Sequence, residues 1–396
     1  MTDHRVAVFL RRHGGLVVCR TDNRDRWTTI TGAGDGDPAA TAVARLRAET
    51  ELSAEDLTVL RPGDPVGSVL PVLVEAETRP AVPDGCEWVP APVLLERETV
   101  PWLWQAYDAV RPTVERVASD TEHGSSTLSV RALETLRDEA ALAARAGAGP
   151  ERVRPVARDL IAARPAMAVV SNRLNRALAA ADGAEPTAVA DAAHEGIEQA
   201  VEADSAAAAN AAGRVEGMRV ATLSRSGTVL AALADGAAEA VLVAASYPGG
   251  EGVGVAATLA AEATVTLATD AAFPAELAEW DADALLVGAD TVFPDGRVRN
   301  KVGTYPAAAV ATREGIPVFV AAATDKVSPE PTRQREPWPG DAPFEHEPSV
   351  PVSNPTFDVT PAACVDTLVT ERGPVDTTAV AAIAAEHRER AAWDGS

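Results

Sequence analysis

Lysine is nearly missing from this chain: arginine supplies almost every cation, and only Lys301 and Lys326 break the pattern. Cysteine is scarce as well. Cys19, Cys86 and Cys364 are odd in number, far apart and in no Cys-x-x-Cys arrangement, which argues against a disulfide framework and against a zinc site. The six histidines are equally scattered, and no cofactor is implied. Basic charge is in deficit, with 35 Lys and Arg against 58 Asp and Glu and a formal charge of −23. The mean field therefore repels nucleic acid and anionic membrane, and any anionic ligand must be held by a local site. No charge-free apolar run approaches the roughly 20 residues of a membrane helix, and no basic-then-apolar leader precedes a small-residue cleavage site. Such a chain is expected to be soluble and cytoplasmic, with neither membrane nor nucleic acid as a direct partner. Its acidic residues are spread along the whole length, the style of an extreme halophile whose self-repulsion is screened by concentrated salt.

What is present is organised in three stretches. Up to about Pro112 the chain is rich in strand-like runs: RVAVFLRR and GLVVCRT read as a hairpin around His13-Gly14-Gly15, and GSVLPVLVEAET and APVLLER as further strands. The turn-rich TGAGDGDP leads into a helix, AATAVARLRAETEL. After Arg111-Pro112 the composition becomes alanine-rich with helical apolar spacing, continuing to about Ala212. From Met218 short apolar runs recur at about 20-residue spacing with helix-length segments between them, the pattern of a helix-wound parallel sheet: MRVATL, AEAVLVAAS, ATVTLATD, DALLVGAD and IPVFVAAATD. Three of these runs end in Asp270, Asp290 and Asp325. Their carboxylates are expected at the ligand-binding carboxyl edge, or, for Asp270 and Asp325, equally as helix N-caps. The Pro-rich VSPEPTRQREPWPGDAPFEHEPSVPVSNP reads as a loop or arm.

The stretch GADTVFPDGRVRNKVGTYP (288–306) carries the most chemistry. It places Asp290 at a strand end and follows it with a turn, the pair Asn300-Lys301, and Gly303-Thr304 opening a helix. A compact ammonium in an otherwise arginine-based chain suits a phosphate, and a helix N-terminus is a natural anion site.

Together with GIPVFVAA, SYPGGEG and NPTFDVTP, this stretch resembles the initiation factor 2B α/β/δ family and its relatives, the methylthioribose-1-phosphate and ribose-1,5-bisphosphate isomerases. The resemblance covers roughly residue 120 to the end and implies a helical subdomain, 116–213, before a Rossmann-like domain, 214–396, that dimerises. It implies Asp290 as catalytic aspartate and Asn300 and Lys301 as substrate contacts, with Gly303 and Thr304 beside them. The isomerases use a cysteine after the first strand, where this chain has Ser224 within Thr222-Leu223-Ser224-Arg225-Ser226-Gly227; they place a phosphate-holding arginine where it has Tyr247. A hydroxyl is a poorer acid and nucleophile than a thiol, and losing a bidentate cation removes a clamp, for which Arg225, Arg297 or Arg299 could compensate.

Residues 1–115 resemble a Nudix domain whose box has degenerated: Ala44-Arg45 stands for Arg-Glu, Ala48-Glu49 for Glu-Glu and Glu51 for glycine, leaving Glu49 among the core magnesium ligands. The combined expectation is an α+β Nudix-like domain, a helical subdomain and an α/β Rossmann-like domain. It would act as a regulatory protein that binds a phosphorylated sugar or nucleotide without turnover and forms a homo-oligomer. The alternatives are an aldose-ketose isomerase of a sugar 1-phosphate using Asp290 and Ser224, and a translation-factor partner or scaffold without a small ligand.

Overall fold

A computed structural model of the chain describes residues 5–332 and 353–394, apart from 22, 24, 34–35, 121–122, 182–184 and 236–237. The centre of the Pro-rich segment, 333–352, lies outside the described residues. The chain falls into two compact units. The first comprises Met1–Val117, Val130–Ala157 and Gly183–Glu198; the second comprises Ala118–Ser129, Arg158–Asp182 and Gln199–Ser396.

The first unit is built on strands β1 (Arg5–Arg12), β2 (Gly15–Arg20), β3 (Trp27–Thr28) and β4 (Ile30–Ala33), helix α1 (Pro38–Glu49), strands β5 (Leu57–Pro62), β6 (Val69–Ala76) and β7 (Cys86–Pro90), and helices α2 (Val93–Glu96) and α3 (Leu103–Asp108). Its sheet runs β3-β2-β1-β6-β5, with β4 on β1 and β7 on β2; β1 and β6 are parallel. The expected hairpin forms where His13 and Gly14 both take left-handed backbone (φ 44° and 75°), the twist that a tight two-residue turn requires. Alternation then sorts side chains to the two faces: Val6, Val8 and Leu10 pack with Leu46 of α1, while Ala7 and Phe9 pack with Leu103 and Tyr107 of α3. Asp37 caps α1 through the amides of Ala39 and Ala40, with Pro38 at its first turn.

Two expectations are corrected here. APVLLER is no strand: Val93–Glu96 is a helical turn, and the strand is the preceding Cys86–Pro90. Proline at positions 90 and 92 ends the ladder. Cys19 and Cys86 form a disulfide, although their separation of 67 residues concealed it. The β2–β7 register sets them directly opposite one another, which is where cross-strand side chains meet.

Helices α4 (Val114–Ser119), α5 (Ser125–Arg145), α6 (Pro150–Ala163), α7 (Ala168–Ala180) and α8 (Pro186–Val215) fill the expected helical stretch. Helices α4, α5, α6 and α8 each contribute residues to both units, so the helical stretch is shared between them. In the first unit Arg137 of α5 is buried, donating to the Gly14 carbonyl at 2.7 Å and to Asp138 at 2.9 Å, and Arg11 meets Glu134 at 2.5 Å. These are paired charges, as burial demands.

The second unit continues with β8 (Arg219–Thr222), α9 (Gly227–Asp235), β9 (Ala240–Ala244), α10 (Glu251–Leu259), β10 (Thr264–Ala268), α11 (Phe273–Glu279), β11 (Ala284–Val287), β12 (Thr291–Val292), β13 (Val298–Lys301), α12 (Thr304–Glu314), β14 (Val318–Ala321), β15 (Phe357–Thr360), β16 (Thr367–Thr370), β17 (Gly373–Val375) and α13 (Thr377–Arg390). Its main sheet has the order β10-β9-β8-β11-β14-β16-β17 and is parallel except for β17. Strands β9, β11 and β14 are buried along their whole length, as sheets covered on both faces require. One core holds Leu242, Leu285, Val287 and Val320; the opposite core holds Val241, Val243, Leu286 and Phe319. This mixed α/β architecture sets the strand-end loops along one edge. The antiparallel ribbon β12-β13-β15 carries the 288–306 stretch.

Candidate functional site

Ser224 follows β8, Ser246 follows β9, Asp270 follows β10 and Asp290 follows β11. The Ser224 amide donates to Ser246 Oγ at 2.7 Å, and the amides of Ser246 and Tyr247 donate to the two oxygens of Asp270 at 2.6 and 2.8 Å. Asp270 is therefore neither a helix cap nor a free carboxylate: it fixes the loop after β9. Ser224 and Ser246 both adopt left-handed backbone, φ 67° and 68°, a conformation uncommon for serine and held only where surrounding contacts over-determine it.

Lys301 ends β13 and is 3 % exposed, so it belongs to a strand rather than to a surface turn. Its Nζ lies 2.9 Å from Glu251 Oε1. The same oxygen accepts the Ser224 hydroxyl at 3.1 Å. Glu251 is the first residue of α10, where a negative charge suits the helix dipole. The helix can start there because Gly252 has no side chain: a Cβ would stand 1.8 Å from the Ala244 carbonyl oxygen.

The other sequence-assigned residues lie close by along the chain but are engaged internally. Asn300 donates to Thr304 Oγ1 at 3.1 Å, and the Thr304 hydroxyl donates to the Lys301 carbonyl at 2.6 Å. The amides of Gly303 and Tyr305 both donate to Asp358 Oδ2, at 2.8 and 3.0 Å, so the start of α12 already has an anion. Burial pushes the Asp358 carboxyl up to about 6, against the opposing pull of those amides. Asp290 is half-buried and acts electrostatically on the fully buried Lys326, whose ammonium is lowered by burial and sustained by Asp290 and Asp204. Asp325 is buried and structurally engaged: its carboxylate is clamped by Arg173 at 2.9 Å and by Arg176.

The structure thus unites Ser224, Glu251 and Lys301 directly. Arg225 is exposed on the loop after β8, and Tyr247 is 65 % exposed, contributing no cation. Glu251 escaped the sequence reading although it lies in SYPGGEG, because its two partners are 27 and 50 residues away along the chain. Glu49 belongs to the first unit, where it pairs with Arg45 at 2.5 Å. A cavity of about 370 Å³ in that unit, lined in part by Val93, Leu95, Arg137 and His194, includes none of the sequence-assigned residues.

The initiation factor 2 subunit family matches residues 121–377. A methylthioribose-1-phosphate isomerase of Rhodopirellula baltica is 42 % identical over 106 residues, 24 % of this chain and 30 % of the relative. A ribose 1,5-bisphosphate isomerase of Haloterrigena turkmenica is 39 % identical over 109 residues, 23 % and 33 % of the two chains. The matches span only about a third of these curated relatives. Among solved structures, the translation initiation factor eIF-2B of Pyrococcus horikoshii OT3 aligns with a TM-score of 0.56 and 24 % identity over 66 % of this chain and 94 % of that one. The 5-methylthioribose 1-phosphate isomerase of the same organism aligns at 0.53 and 22 % over 70 % and 86 %. At these identities the structures speak for the fold alone.

Proposed function

Because this chain belongs to the initiation factor 2 subunit family, we propose that its second unit binds a phosphorylated sugar or nucleotide at the carboxyl edge, in a regulatory role without turnover. The observation that carries this is the convergence of Lys301, Glu251 and Ser224 within 2.9 and 3.1 Å, on strand-end loops of an open α/β sheet where ligands bind. Turnover is disfavoured by the chemistry present. Ser224 offers a hydroxyl whose acidic partner, Glu251, is shared with Lys301, and Tyr247 points into solvent where a phosphate clamp would be needed.

A second reading, aldose-ketose isomerisation of a sugar 1-phosphate, is supported by the relatives named as isomerases and by the Ser224–Glu251 contact. In it Asp290, poised against Lys326, would move the proton between adjacent carbons, and Ser224 would stand in the cysteine's place. A thermal-shift panel of ribose 1,5-bisphosphate, methylthioribose 1-phosphate and nucleotides in concentrated salt tests binding, since a ligand of the native state raises apparent stability. Phosphorus NMR of the best ligand tests turnover. Stabilisation without conversion is expected; conversion at catalytic protein concentration would replace the regulatory assignment with the enzymatic one.

For the first unit we propose a degenerate Nudix-like domain. The mixed sheet with α1 between β4 and β5 supports it, and its donor set does not fit magnesium. Glu49 is tied to Arg45, and among the described residues no three His, Cys, Asp or Glu side chains gather to hold a metal, whereas magnesium chemistry needs several hard oxygens. Full-length protein is expected to form no more nucleoside monophosphate from nucleoside diphosphate derivatives with magnesium than Glu49→Gln does; clear activity above that control would restore the hydrolase.

We further propose a homo-oligomer through the second unit. Strand β10 ends its sheet and exposes Leu267 at 47 %, and α10 exposes Val253 at 47 %, an edge strand and exposed apolar groups of the kind that invite pairing. Sedimentation at micromolar concentration in high salt should give more than the 41.0 kDa monomer. A monomer there would remove the proposal.

A further inference from the structure

Three carboxylates occupy the anion-accepting positions of this edge. Asp270 takes the amides after β9, Asp358 takes those opening α12, and Glu251 takes the Lys301 ammonium. They differ in what holds them. Asp270 and Asp358 each accept two backbone amides, so neither can leave without unmaking a loop. Glu251 is held at one oxygen by two side chains, Lys301 and Ser224. It has a longer stem and remains 21 % exposed, against 4 % for the Lys301 side chain. It is the carboxylate that can move.

Resting on the sugar-phosphate reading above, we propose that Glu251 is the specificity-determining residue of the site, a resident counter-ion that any phosphate must displace from Lys301. The ammonium is too enclosed for a carboxylate and a phosphate to share it without like-charge repulsion, and the pair lies too deep for salt to screen it well. A bare phosphate brings only the charge that Glu251 already supplies. A sugar phosphate brings hydroxyls as well, which donate to the displaced carboxylate and offset the lost ion pair. The site therefore rejects inorganic phosphate and accepts phosphates that carry vicinal hydroxyls.

Glu251→Gln tests this, because the amide keeps the shape and removes the charge; Glu251→Ala serves as the second variant, and circular dichroism checks that each is folded. Wild type and variants are titrated calorimetrically in concentrated salt with inorganic phosphate, ribose 1,5-bisphosphate and ribose. Glu251→Gln should bind inorganic phosphate about tenfold or more tightly than wild type, the scale of relieving one like-charge contact, with no gain for ribose. The gain should vanish in Glu251→Gln combined with Lys301→Ala, as coupled residues require. If wild type binds the bisphosphate but neither variant gains affinity for phosphate, Glu251 is no competitor and only this inference falls. If neither wild type nor any variant binds either phosphate compound, the inference falls together with the sugar-phosphate assignment.

Discussion

Replacing Asp325 by asparagine is expected to lower the unfolding free energy by about 3 kcal/mol, the low end of the range for breaking a buried ion pair. Arg173 is fully buried and donates to Asp325 at 2.9 Å and to Asp204 at 2.9 Å, and Arg176 adds a second cation on Asp325. Asparagine leaves Arg173 with one carboxylate, Asp204, and with its bonds to the Ser129 hydroxyl and the Ala200 carbonyl, which is why the low end applies. Burial alone would raise the Asp325 carboxyl, but the two guanidinium groups win and hold it at about 2. A carboxyl lowered on folding binds more protons in the unfolded chain. Its contribution is thus complete above the ordinary aspartate range near 4 and is lost as pH falls from about 4 to 2. Urea unfolding at fixed high salt measures both effects: wild type should lose stability across that window, and Asp325→Asn should lose less. Equal stability at neutral pH would show that the clamp contributes nothing net.

Gly252→Ala is expected to destabilise the second unit despite the better helix propensity of alanine. Propensity favours alanine by about 1 kcal/mol. Against this, the added methyl would stand 1.8 Å from the Ala244 oxygen and 2.9 Å from Ser246 Oγ, and a neighbouring backbone cannot yield as a flexible side chain does. Overpacking of this kind costs about 1–3 kcal/mol or more, so a net loss is expected. The same shift carries Glu251 off Lys301 and Ser224, so ligand affinity should change along with stability. Thermal unfolding and a bisphosphate titration of the variant check the two together. A variant as stable as wild type would mean that α10 is not seated on the end of β9.

What could be read from sequence follows from how local each cause is. The parallel strands were legible because burial on both faces writes itself as unbroken apolar runs, as in Val241 to Val243 and Leu285 to Val287. The His13-Gly14 turn was legible because its left-handed backbone is a local demand. The Cys19–Cys86 bond was not, since it depends on the register of two strands 67 residues apart. APVLLER misled because a short apolar run has no period long enough to separate helix from strand. At the site, Ser224 and Asp290 were visible as residues that follow apolar strand runs, and Lys301 as a rare lysine, although it ends a buried strand and not a turn. Glu251 was hidden because its role arises only when β8, α10 and β13 meet, and Asp325 was misplaced because its partners Arg173 and Arg176 come from α7.

The most direct measurement of the central claim is a calorimetric titration of ribose 1,5-bisphosphate into wild type and Lys301→Ala, both folded and in concentrated salt. Saturable binding to wild type is predicted, weakened by roughly tenfold to 150-fold in the variant, the worth of one charge-assisted contact of about 1.5–3 kcal/mol. Equal binding by the two proteins, or none by wild type, would contradict the assignment of this edge as a phosphorylated-sugar site.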